Sequence, residues 1–207
     1  MRKIRPLSCV LLLMSFVTVA QAQWRDLNPV TSVQKQADGL LFQMKTGATK
    51  LQVCSDSIVR VLYSPTGKFP DAPDYVVTKK DWTPTQWSMQ ESGDNVVLST
   101  ARLKITVSKS EGSIQYASAD GQKLVMDQNR WMTPVKVNGE DTFRAEDFIN
   151  IYGSQEALYG LGQHQSGVWN YRGDSVDISH DNTNIAVPML VSRTDMESSG
   201  TTIRAAA

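Results

Sequence analysis

The residues best suited to chemistry gather late in the chain. Tyr159-Gly160-Leu161-Gly162-Gln163 is followed by His164, Gln165 and Gly167, then by Trp169-Asn170-Tyr171-Arg172-Gly173 and His180-Asp181-Asn182-Thr183. Aromatic planes stack on pyranose faces, and fixed amide, imidazole and carboxylate groups read hydroxyls, so the mixture suits sugar recognition. It does not suit metal chemistry. His164 and His180 are the only histidines, 16 positions apart, with no cysteine or carboxylate at ligand spacing. No metal and no cofactor is expected. Asp174 and Asp177 read as solvated loop or strand-edge acids.

Such loops need strands to stand on. The glycine pair at 160 and 162 marks a place where the backbone bends or another segment approaches closely, in a β protein most often a bulge or tight corner. Ala186-Val187-Pro188-Met189-Leu190 supplies a final apolar strand. Upstream, Leu40 to Met44, Lys50 to Cys54, Ile58 to Tyr63, Val96 to Ser99 and Leu103 to Val107 are short β-branched or apolar runs bounded by turn residues. Leu103, Ile105 and Val107 alternate with Lys104, Thr106 and Ser108, the pattern of an antiparallel strand with one wet side. Asp120-Gly121 is a hairpin turn between Ile114 to Tyr116 and Lys123 to Met126. No stretch keeps a 3.6-residue apolar period for three turns, so the fold expected is all-β, an antiparallel β-sandwich with little helix. Ser64 to Thr85, carrying Pro65, Pro70, Pro73 and Pro84, reads as an extended surface excursion around Tyr75 to Val77.

Composition narrows the partners. The 207 residues carry 21 basic and 21 acidic side chains and 41% hydrophobic residues. With no basic surplus there is no electrostatic basis for binding nucleic acid. Arg2, Lys3 and Arg5 precede an apolar stretch from Leu7 to Ala20, and Ala20-Gln21-Ala22 offers small residues for cleavage. Residues 1–22 therefore read as a signal peptide too short to span a bilayer, and the chain as secreted or periplasmic with no membrane partner after cleavage. Cys9 opens the apolar stretch, whereas a lipidated cysteine would close it. Loss of the leader's three basic residues leaves 18 against 21 acidic, a net charge of −3. Cys54 is then a lone cysteine, unable to form an internal disulfide and expected as a small buried hydrophobe.

From Glu156 to Ser192 the chain resembles the amino-terminal β-sandwich of glycoside hydrolase family 31, especially bacterial α-xylosidase-like and α-glucosidase-like members. The Tyr-Gly-Leu-Gly-Gln run, the Asn-Tyr-Arg-Gly after it and the Asn-Thr-Asn-Ile-Ala-Val-Pro stretch carry the resemblance in that order. Ile58-Val59-Arg60-Val61 and the hairpins beyond it are similar to the galactose-mutarotase-like sandwich of the same proteins, extending the resemblance over most of Gln23 to Thr194. The resemblance implies a retaining α-glycosidase whose two catalytic aspartates lie on a following (β/α)8 barrel. A barrel takes about 250 residues, and this sequence has no room for one, so no catalytic residue is expected here. It also implies that a loop before the Ala-Val-Pro strand reaches the sugar. The matching positions are His180, Asp181, Asn182 and Thr183; Asp181 and Asn182 would touch substrate, with an Asx-type loop brace as the alternative. The partner implied is an α-glycoside or xyloglucan-type oligosaccharide held mainly by the barrel.

Beyond Thr194 the chain departs from the family, whose members continue with a glycine-tyrosine-glycine turn. One G inserted after the Thr194 codon restores a reading frame that permits that continuation. Residues 195–207 are therefore expected to be a frameshifted tail, from a single-base deletion or a sequencing error, on a 23–194 domain. Val187, Met189 and Leu190 would then be poorly covered, the last strand's edge unpaired, and the isolated chain poorly soluble. Two other functions compete. A free-standing carbohydrate-binding module would stack sugars on Trp169, Tyr171 and Trp131. A sugar mutarotase would need histidines and a glutamate in an acid–base pattern that His164 and His180 do not supply.

Overall fold

The computed structural model describes residues 26–69, 79, 81–152, 156–193 and 202–204. The leader, the stretch 75–77 and positions 195–201 and 205–207 of the expected tail lie outside the described residues. The elements are antiparallel strands throughout.

The first sheet has the order β1-β2-β3-β4, with β1 Val30–Gln36, β2 Gly39–Met44, β3 Ala48–Val53 and β4 Val59–Ser64. The second runs β10-β9-β8-β7-β6-β5. Its strands are β5 Ser88–Ser92, β6 Asn95–Ser99, β7 Leu103–Ser108, β8 Ile114–Ser118, β9 Lys123–Val137 and β10 Glu140–Ile151. A third sheet joins β11 Leu158–Gln163, β12 Ile185–Ser192 and β13 Thr202–Arg204 in that order.

The core forms where the first two sheets face each other. Leu40, Phe42 and Leu51 from one and Val96, Leu98 and Ile105 from the other are wholly buried, and they belong to one cluster. Period-two alternation produces this: in β7, Ile105 and Val107 are buried while Lys104 is exposed. Cys54 is buried at the end of β3, and desolvation pushes its thiol pKa above the ordinary value, so it behaves as the expected inert hydrophobe. The hairpin through Asp120-Gly121 joins β8 to β9.

Two strands exceed the expectation. β9 and β10 continue beyond the other four strands of their sheet as a two-stranded arm whose outer residues are largely exposed. The expectation for the last long strand is corrected in part. Leu190 is buried, because it pairs with Gly160 on one side and with Ile203 on the other. The edge of β12 is thus paired at Met189–Val191, by residues 202–204 of the expected tail, while Val187 is 45% exposed as anticipated.

Candidate functional site

The glycine pair builds the platform. Gly160 and Gly162 both have positive φ, and Leu161 between them has φ 61°. A Cβ on Gly160 would strike the Met189 carbonyl oxygen, and one on Gly162 the Ile185 carbonyl oxygen. The ladder register shifts between these glycines. Both readings of the sequence therefore hold together: a bulge, and a close approach of β12 that only glycine permits.

From this platform the chain leaves as a loop over residues 164–184 and returns into β12. Polar ties fix its root. The Asn170 side-chain oxygen accepts from the Leu158 amide at 3.0 Å and from the Arg172 amide at 3.1 Å, and the Tyr171 amide donates to the Leu158 carbonyl at 2.9 Å. The Arg172 guanidinium donates to the Glu156 carbonyl at 3.2 Å. Glu156, only 5% exposed, accepts from the Ser192 hydroxyl at 2.6 Å and so ties the entry of β11 to the end of β12. A buried carboxylate survives only with such partners.

The predicted contact residues occupy the return half of the loop. Asp181 is exposed, and its Oδ1 accepts from the Thr183 and Asn184 amides at 3.0 Å each, while Oδ2 accepts from the Asn184 side-chain amide at 2.9 Å. The Thr183 hydroxyl is 3.5 Å from the same Oδ1. These donors, the Thr183 amide foremost, hold the Asp181 carboxyl below the ordinary carboxylate range. The arrangement is an Asx-type brace, and it leaves Asn182 exposed beside it. His180 Nδ1 lies 3.4 Å from the Ala186 amide. Trp169 stands apart on the outgoing half, 84% exposed.

Beside these groups lies an open groove of ≈ 380 Å³, walled by His164, Tyr171, Asp174, Ser175, Asp177 and Asn184 among others. His164 Nε2 is bonded to the Leu161 carbonyl at 2.8 Å, and its ring meets Tyr171 edge to face at 6.3 Å. Asn184 links the halves: its side-chain oxygen accepts from the Gln165 amide at 3.2 Å while its amide group holds Asp181. Asp177 pairs with Arg144 of β10 at 3.0 Å, an exposed pair that contributes little to stability. Chemically the groove offers carboxylates, hydroxyls, an amide, an imidazole and one aromatic edge, a set that hydrogen-bonds a polyhydroxyl ligand.

None of His180, Asp181, Asn182, Thr183 or Trp169 is among the groove's lining residues. Sequence reasoning missed Asn184 and Ser175 as wall residues. The signal for Asn184 was its place three residues after Asp181, where an amide can close a turn. Trp131 lies on β9, in a different sheet from Trp169 and Tyr171.

Known proteins resemble this arrangement. Residues 48–201 match the family described as the glycosyl hydrolase 31 N-terminal galactose mutarotase-like domain. Among solved structures, the family 31 α-xylosidase of Xanthomonas citri aligns at TM-score 0.64 and 31% identity, covering 77% of this chain and 18% of its own. An α-xylosidase from a soil metagenome, complexed with xylose, aligns at TM-score 0.61 and 16% identity over 78% of this chain and 26% of its own. The Flavobacterium johnsoniae family 31 dextranase, complexed with glucose, aligns at TM-score 0.56 and 20% identity over 81% and 21%. The latter two show the fold alone. The chain thus spans between 18% and 26% of the length of these relatives. With the match covering most of the sequence, the chain belongs to the N-terminal galactose mutarotase-like domains of glycoside hydrolase family 31.

Proposed function

We propose that this chain is the non-catalytic, sugar-facing β-sandwich of an exported α-glycosidase of the α-xylosidase type. In this reading the sandwich holds the 164–184 loop against an α-glycoside or xyloglucan-type oligosaccharide bound mainly by a catalytic barrel. Asn182 touches the sugar from the turn that Asp181 braces, His180 and Thr183 shape that turn, and Trp169 offers a stacking face. The observation that carries the reading is the bracing of this turn: Asp181 is held in one orientation by Thr183 and Asn184, and Asn182 is left exposed next to it. A prearranged polar turn is what a sugar hydroxyl pattern requires. The 31% identity to the Xanthomonas citri α-xylosidase supports the α-xyloside preference.

The test is an assay of the purified chain with an aryl α-xyloside, expected to show no turnover; genuine turnover would overturn the reading. Trp169, 84% exposed, favours one competing reading, a free-standing carbohydrate-binding module. Calorimetric binding of xyloglucan oligosaccharides by the chain alone, abolished in Trp169→Ala, would favour that module instead.

A further inference from the structure

The longest sheet edge among the described residues is β10, which closes one side of the six-stranded sheet. Its inner side pairs with β9 from Glu140 to Ile151. On its outer side no strand follows, and among the described residues no backbone hydrogen bond reaches it from another segment. The edges at β1, β4 and β5 and both edges of the third sheet are shorter. An unpaired strand of this length is a template for another.

Charge decides what can lie against it. β10 carries Glu140, Asp141, Arg144, Glu146 and Asp147, so both signs are present. Across an antiparallel pair, like charges directly opposite are destabilising and unlike charges favourable. Two copies of β10 would pair about a two-fold axis, which sets one residue opposite itself. With the axis at Arg144, two arginines meet and Asp141 faces Asp147. At Glu146 or Asp147 two identical carboxylates meet, and at Phe143 the axis sets Glu140 against Glu146. Registers displaced further leave little more than half of the strand paired, or less. With the axis at Ala145 no like charges are opposed, and Arg144 of each copy faces Glu146 of the other.

The exposed apolar side chains fit the same register. Phe143 is 42% and Phe148 53% exposed. On one face of the strand Phe148 would lie opposite Thr142 of the second copy and diagonal to its Arg144, within reach of a cation–π contact. On the other face Phe143 would lie diagonal to Ala145 and Ile149 of the second copy. Ala145 is itself exposed and small, so two copies can meet there without collision. Arg144 donates through Nη2 to Asp177 of its own chain, and its guanidinium has further donors to offer.

We propose that β10 is a self-association edge: two copies of this chain pair antiparallel through β10 about a two-fold axis at Ala145. The two six-stranded sheets then run on as one continuous sheet. A pair of strand edges is a small interface, so the dimer forms with a dissociation constant on the order of 10 μM.

The experiment uses the full chain. Its sedimentation is expected to shift from the mass of one chain to that of two between about 1 and 100 μM. Arg144→Glu, which opposes two carboxylates, should abolish the shift, and Arg144→Glu combined with Glu146→Arg should restore it. Disulfide trapping with oxidised glutathione reads the register. Directly opposite residues lie about 4.5–5.5 Å apart, within disulfide reach, so Ala145→Cys should cross-link to itself. Phe143→Cys should not, yet it should cross-link to Asp147→Cys when the two variants are mixed. The chain without an added cysteine sets the background from Cys9 and Cys54. A chain that stays monomeric at 100 μM would overturn the proposal, leaving the edge to a different partner. So would open-ended polymers, or cross-linking as strong for Phe143→Cys alone as for Ala145→Cys. Should a variant fail to fold, sedimentation of the unaltered chain decides by itself.

Discussion

Between the two large sheets, the side chains that meet are Phe42, Leu40, Leu98 and Ile105, all fully buried. Within the 164–184 loop and at its root, the contacts are an Asn170 oxygen on two amides, an Arg172 guanidinium on the Glu156 carbonyl and an Asp181 carboxylate on its own turn. The first region is held by apolar burial, spread over many contacts and indifferent to detail. The second is held by a few directional bonds, and each fixes one segment in one orientation. A scaffold tolerates drift in any one contact; a turn that must present Asn182 beside a fixed carboxylate does not.

The contrast breaks most sharply at Phe42. Phe42→Ala should cost about 3–5 kcal/mol, read by urea unfolding of the whole chain. A loss under about 1 kcal/mol would mean that the sandwich does not depend on this core. Gly162→Ala should act differently. It adds about 1–3 kcal/mol of backbone strain, together with a collision with the Ile185 carbonyl. Hydrogen exchange should rise in 159–163 and 184–187 while β6 and β7 keep their protection; a uniform rise would merge the two regions into one cooperative unit. The smallest effect concerns Asp181. Its carboxyl lies below the ordinary range, so the turn is stabilised above the unfolded pKa and loses that support as pH falls through the lower, folded value. The Thr183 amide, followed by NMR, should move in acid, and Asp181→Asn should abolish the transition.

Much of the sandwich was legible because burial writes itself as alternation. Leu103, Ile105 and Val107 gave the face of β7, and the short runs around Phe42 and Leu51 gave two more strands. The arm was not legible, for a physical reason. From Gln128 to Lys136 and from Glu140 to Phe148 both faces are largely wet, so no period-two signal is required of the residues. Phe148 is 53% exposed even though it lies in a strand. At the site, Gly160 and Gly162 announced the bulge, and Asp181 its brace. The groove itself could not be read, because its walls at Tyr171 and Asn184 are brought together by the Asn170 and Asn184 ties rather than by any spacing along the chain.

Every ladder in the three sheets joins strands that follow one another in the chain. Each sheet is a meander, and its hydrogen bonds can zip up by closing short loops, whose entropic cost is small. The interleaved pairing that slows many sandwiches is absent among the described residues, so the long-range step left to folding is the docking of two preformed blankets. The transition state for this chain is accordingly expected at that docking, with mutations at the Phe42–Ile105 face slowing refolding and mutations in the hairpin turns changing it little.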